Sequence, residues 1–120
     1  MCQENVGSQG PGSLALSVCG GNLSAGTSAT LLLSGAIPND IVYLAASLTN
    51  DQVSILGGTA VSTNPFLIMP VNTDASGEFQ MPNVPGGLNA TIYVQAFQVD
   101  GTILPNFLAF SNIVKIVFLP

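Results

Sequence analysis

Apolar and polar positions alternate in short runs along this chain, and each run stops at a cluster of turn residues. The runs are SLALSV at 13–18, SATLLLSG at 28–35, DIVYLAASL at 40–48 and QVSIL at 52–56, then a piece near FLIMPV at 66–71, GEFQMP at 77–82, ATIYVQAFQV at 90–99 and LAFSNIVKIVFL at 108–119. Between them stand PG, GG, PND, TND, NP, DASG, PGG, DG and LPN. Alternation with period two is the mark of a strand, whereas an amphipathic helix needs apolar residues at i, i+3, i+4 and i+7. No window keeps that helical stripe free of Gly or Pro. Strands about 8–12 residues apart with turn signals between them predict an all-β fold, an Ig-like antiparallel β-sandwich of about seven to eight strands. Segment 40–48 is the most ambiguous, because Ala45 and Ala46 tolerate helix; its Ile-Val-Tyr start makes it a strand. The sandwich occupies 13–120, and residues 1–12, with little to bury, form an N-terminal arm.

Alternation also assigns faces. In 90–99, Ile92, Val94, Ala96 and Gln98 share one side, and Thr91, Tyr93, Gln95, Phe97 and Val99 the other. In 110–119, Phe110, Asn112, Val114, Ile116 and Phe118 lie opposite Ser111, Ile113, Lys115, Val117 and Leu119. A lysine belongs in water, so its face is the outer one. The expected core is Leu14, Leu16, Leu31, Leu33, Val42, Leu44, Ile92, Val94, Val114 and Ile116. The outer face around Lys115 is apolar as well, although a sheet facing water should alternate apolar and polar. Tyr93, Phe97, Ile113 and Val117 are therefore expected to form a patch covered by a neighbouring subunit.

Composition narrows the chemistry. The chain has 120 residues, enough for one domain. Charged residues make up 6% of it, against about 25% in ordinary soluble domains. Lys115 is its one basic side chain, His and Trp are absent, and the net charge is -5. Without His, a Ser-His-Asp or Cys-His nucleophile is impossible. Two Cys cannot make a four-thiolate zinc site. One cation cannot neutralise a phosphate backbone, which excludes nucleic acid as a partner. No run approaches the about 18 apolar residues of a membrane-spanning helix, so no membrane insertion is expected.

The cysteines are Cys2 and Cys19. Residues 1–12 lack the basic start and apolar stretch of a signal peptide, so the chain is either cytosolic or numbered from a processed product. Few charges and many Thr, Ser, Asn and Gly suit the second reading and a secreted or cell-surface location. In an oxidising compartment a Cys2–Cys19 disulfide would tie the arm to the first strand, a loop closure of about 3 kcal/mol; in a reducing one both remain thiols.

The runs GSLALSVCGGNLSAGTSATLLLSGA, PFLIMPVNTDASGEFQMPNVPGG, ATIYVQAFQVDG and FSNIVKI resemble an all-β module near the C-termini of secreted planctomycete-type bacterial proteins. The resemblance covers nearly all of 13–119 and rests chiefly on YVQA at 93–96 and SN at 111–112. It implies a secreted β-sandwich and no activity. Such modules usually end a longer protein.

Other candidates carry competing readings. Asn72, Asp74, Ser76 and Gly77 mimic the first half of a calcium loop, but Asn83 stands where a bidentate Glu belongs. A β-turn, with Asp74 accepting backbone N–H groups and Gly77 at positive φ, accounts for the same residues. Asn22 and Asn89 begin possible glycosylation sequons. Of the carboxylates, only Asp74 and Glu78 are neighbours, and a surface turn is not the cleft a glycosidase needs. No enzyme activity and no cofactor are expected. The reading that emerges is a structural, self-associating subunit of an extracellular filament or surface layer, whose partners are copies of itself joined through apolar sheet faces and strand donation. The alternative is an adhesion or carbohydrate-binding module, for which Tyr43, Tyr93 and Phe107 are the available aromatics.

Overall fold

The computed structural model describes residues 2–7, 12–21, 23–49, 53–55, 58–60, 67–87, 89–101 and 108–119. In chain order its strands are β1 (Glu4–Gly7), β2 (Ala15–Cys19), β3 (Ser28–Ser34), β4 (Ile41–Ser47), β5 (Val53–Ile55), β6 (Gly58–Ala60), β7 (Leu67–Asn72), β8 (Phe79–Pro85), β9 (Ala90–Val99), β10 (Leu108–Phe110) and β11 (Ile113–Phe118). The fold is all-β, and no described residue is helical. The larger sheet runs β1-β11-β9-β4-β7, with β10 also paired to β9; the smaller runs β2-β3-β8; β5 and β6 form a separate hairpin. Every pairing is antiparallel. The ambiguous segment 40–48 is a strand, and part of the N-terminal arm is one too.

One connection sets the shape. With β2, β3, β4, β7, β8, β9 and β11 lettered A to G, the immunoglobulin constant type would place A, B, E and D in one sheet and C, F and G in the other. Here the fourth strand, β7, pairs with β4 instead of β8. Strand β8 is thereby left at the edge of the smaller sheet.

The alternation read from sequence places the core. Leu16 and Val18, Leu31 and Leu33, Val42 and Leu44, Val94 and Ala96, and Val114, Ile116 and Phe118 meet in one buried cluster drawn from both sheets. Nine of the ten expected core residues are buried, and Ile92 packs half-buried against them. Gly35 (φ 73°) and Gly77 (φ 74°) turn the chain where a Cβ would collide with the carbonyl oxygens of Ser13 and Ala36. Only glycine meets both requirements.

The segment 108–119, expected as one strand, is two. Phe110 stands opposite Phe97, but Val114 stands opposite Val94, so the register slips by one residue across Ser111–Asn112. A one-residue slip reverses which side chains face the core. Phe110 therefore lies on the outer face beside Phe97, not on the face of Val114 as period two alone predicted, and Ala109 faces inward.

The same irregularity joins the sheets. The Asn112 side chain is buried; its Oδ1 accepts from the Leu16 N–H at 2.8 Å and its Nδ2 donates to the Leu16 carbonyl at 2.9 Å. Leu16 belongs to edge strand β2, so one amide serves as a single rung of a missing neighbour. Ser111 locks the slip: its N–H donates to the Ala96 carbonyl at 2.9 Å, and its hydroxyl accepts from the Ala96 N–H and donates to the Asn112 carbonyl, both at 2.8 Å. Gln95 Nε2 donates to the Ser111 carbonyl at 3.0 Å.

Removing the amide strands two buried backbone groups, each costing about 1–3 kcal/mol. Asn112→Ala should lower the urea-unfolding free energy by about 2–5 kcal/mol, and Asn112→Asp should not rescue it, because a carboxylate cannot donate to the Leu16 carbonyl. A loss under about 0.5 kcal/mol, the range of neutral surface changes, would refute the clasp.

Candidate association surface

Outward positions of the larger sheet form an apolar face. Tyr43 and Phe97 stack with centroids 5.4 Å apart, and Phe97 meets Phe110 at 6.4 Å, a row across β4, β9 and β10. Beside it Ala45 and Ile113 are buried, with Val6, Tyr93 and Phe97 packed on them. This explains much of the apolar character that sequence alone attributed to an absent neighbour. Ile113 has no exposed surface, because Val6 of β1 packs on it within the chain. Tyr93, Phe97 and Val117 are half-buried. The exposed apolar side chains of this face lie further out: Ile41 is 45% exposed, Ile68 52% and Val99 61%. The register sets Ile68 opposite Ala45, which fixes its outward direction.

Three sheet edges are guarded, β2 by a side-chain clasp and β7 and β8 at prolines. On β2, Asn112 occupies both backbone groups of Leu16, and the Gln3 N–H donates to the Val18 carbonyl at 2.7 Å. On β8, alternation decides. Leu16 faces Asn112, so its partner Leu33 turns toward β8 and bonds Phe79, and Met81 bonds inward opposite Leu31; beyond Met81 the ladder shifts register, and Pro82 lies in that irregularity. On β7 the same logic runs from Ala96, whose groups face Ser111. Leu44 therefore bonds Met69, and Pro70 points outward. Proline has no N–H to offer an incoming strand. Between β7 and β8 the core opens in a cleft of about 150 Å³, lined only by apolar side chains, among them Leu31, Leu44, Met69, Met81, Val94 and Phe118. On the far side of the larger sheet β11 is covered by β1, so this last strand closes its own sheet.

The remaining candidates are structural in their contacts. Asp74 Oδ1 accepts from the N–H groups of Ser76 at 2.8 Å and Glu78 at 3.0 Å, the turn geometry expected of an Asx motif. Its carbonyl accepts from Asn39 at 3.0 Å. Buried Gln98 works as Asn112 does, accepting from the Ile37 N–H at 2.9 Å, while the Thr73 hydroxyl donates to the Ile37 carbonyl at 2.7 Å. Among the described residues no three His, Cys, Asp or Glu side chains gather where they could hold a metal ion. Cys2 and Cys19 form a disulfide with S–S 2.02 Å. No helix among the described residues is long and apolar enough to cross a membrane. Asn89 is exposed, at φ 47°, in the turn before β9. Asn22 and Phe107 lie outside the described residues. Among the described residues none of the exposed large apolar side chains is aromatic, and Tyr43 is occupied by its stack on Phe97.

Sequence reasoning missed the exposed strip of Ile41 and Ile68 and the edge roles of Asn112, Gln3 and Pro70. A Pro inside an apolar run was the available signal, since proline within a strand belongs at an edge. No family model, curated protein or solved structure matches this chain.

Asp74 holds the turn that zips residues 36–39 to 73–77, and an exposed side chain-to-backbone bond is worth about 0.5–1.5 kcal/mol. Asp74→Ala should lower stability by about 1–2 kcal/mol in thermal or urea unfolding. A neutral result would mean the turn holds without its carboxylate.

Proposed function

We propose that this chain is a secreted structural subunit that assembles with copies of itself into an extracellular filament or surface layer, the contact being made by the outer face of the larger sheet. The observation that carries the reading is the strip Ile41, Ile68 and Val99, left exposed on a face already apolar through Tyr93, Phe97 and Val117, in a chain with 6% charged residues. Contiguous apolar surface marks an interaction site, and low charge does not keep copies apart. The disulfide supports an oxidising, extracytoplasmic location, and the resemblance to modules of secreted proteins points the same way. Guarded edges on β2, β7 and β8 favour face-to-face contact over adding a strand there.

Burying an isoleucine contributes about 1.5–3 kcal/mol, and each 1.4 kcal/mol is tenfold in affinity. Ile68→Asp should therefore weaken association roughly 10- to 100-fold in light scattering, with unfolding unchanged within about 1 kcal/mol because the side chain is exposed. A native chain that stays monomeric at high concentration, or assembly indifferent to Ile68→Asp, would overturn the reading.

A further inference from the structure

We propose that in the assembled form β1 is supplied by a neighbouring copy: residues 2–7 of one chain lie on β11 of the next, with Cys2 bonded to Cys19 of that next chain. This inference rests on the self-association reading and names a second contact for it. It starts from the contrast between edges. Strands β2, β7 and β8 are guarded by a clasp or prolines, but the β11 segment IVKIVF carries no proline and is covered by the N-terminal segment alone, Gln3 and the four residues of β1. That cover is thin. Glu4 and Asn5 are exposed, the pairing is interrupted between Asn5 and Gly7, and Val6 is its apolar anchor.

The bonds that seat this segment all end on the body of the sandwich. The Gln3 N–H donates to the Val18 carbonyl at 2.7 Å, Gln3 Oε1 accepts from the Val117 N–H at 3.0 Å, and Cys2 is joined to Cys19. A second copy's residues 2–7 can make the same set, which is why exchange of an identical element is a low-cost route to association. Charge fits as well. Lys115, the one basic side chain of the protein, stands opposite Glu4 in the register. Gly7 (φ 94°) and Gly12 (φ 96°) bracket the connection to β2, so the chain can leave β1 in another direction at little steric cost. Each copy then carries a donor at its N-terminus and an acceptor on β11. Such head-to-tail contacts extend into filaments when they do not close. The covalent step is balanced by a small-molecule disulfide: the two thiols lose two protons and two electrons to form the S–S bond, and the oxidant leaves as two thiols.

The test begins with the native chain, reduced and then reoxidised with glutathione disulfide over a range of concentrations. Non-reducing gels should show dimers and longer ladders that grow with concentration and collapse on reduction. Mixing Cys2→Ser with Cys19→Ser leaves one Cys2 and one Cys19 on different chains; a covalent heterodimer carrying the Cys2–Cys19 peptide by mass spectrometry is expected. Lys115→Glu in the acceptor should lower its yield about two- to five-fold, and Glu4→Lys in the donor should restore it. Reoxidation to monomer alone at every concentration, with no Cys2–Cys19 heterodimer in the mixture, would overturn the exchange. If light scattering still reports assembly in that case, the exchange fails and face association stands. Cross-linked chains whose assembly Ile68→Asp leaves unchanged support the exchange and overturn the face reading.

Discussion

The fold depends on one side-chain amide standing in for a strand. Asn112 offers an acceptor and a donor, and Leu16 presents a donor and an acceptor on the bare edge of β2. Two sheets held only by apolar contact can slide, because the hydrophobic effect has no direction. A buried bidentate amide does have direction, and a misplaced one leaves its partners unsatisfied at a cost of about 1–3 kcal/mol each. Asn112 therefore fixes how the sheets sit on each other as well as how firmly. It can reach Leu16 because the chain breaks register at Ser111, and Ser111 holds that break by replacing the ladder bonds of Ala96 with its own N–H and hydroxyl.

The consequences run outward through alternation. Once Leu16 is turned to Asn112 and Ala96 to Ser111, the backbone groups of β4 and β7, of Leu31–Leu33 in β3 and of Phe79–Met81 in β8 have determined directions. Pro70 then falls at an outward position, where its missing N–H removes an attachment point instead of a ladder bond, and Pro82 falls where the β3–β8 ladder shifts register. A chain of 6% charge has few lysines or glutamates with which to guard its edges. Prolines, an amide clasp and a disulfide-tethered strand take their place. The same shortage of charge leaves the outer face apolar.

Period two was sufficient for the all-β class and for the core, because Leu16, Leu31, Leu33, Val42, Leu44, Val94 and Ile116 lie in strands without bulges at those positions. It failed at Phe110, since a bulge two residues from a strand end leaves no trace in hydropathy. The partnership of Asn112 with Leu16 spans 96 residues, and no local pattern carries it. The apolar outer face was legible only in part. Outward apolar positions could be counted, but Ile113 is covered by Val6 from the far end of the chain, and the exposed Ile68 sat in a run whose face was not assigned. Turn chemistry was the most readable feature: Asp74 and Gly77 do what their types and spacing require.

The edge of β2 is closed by Asn112 as if another strand lay there. Amide hydrogen exchange at Leu16, resolved by nuclear magnetic resonance, tests it most directly. An N–H bonded only to a buried side chain that opens with the whole fold should exchange as slowly as the most protected amides of β9. Exchange of the Leu16 amide on the timescale of an open edge, orders of magnitude faster than β9, would contradict the account.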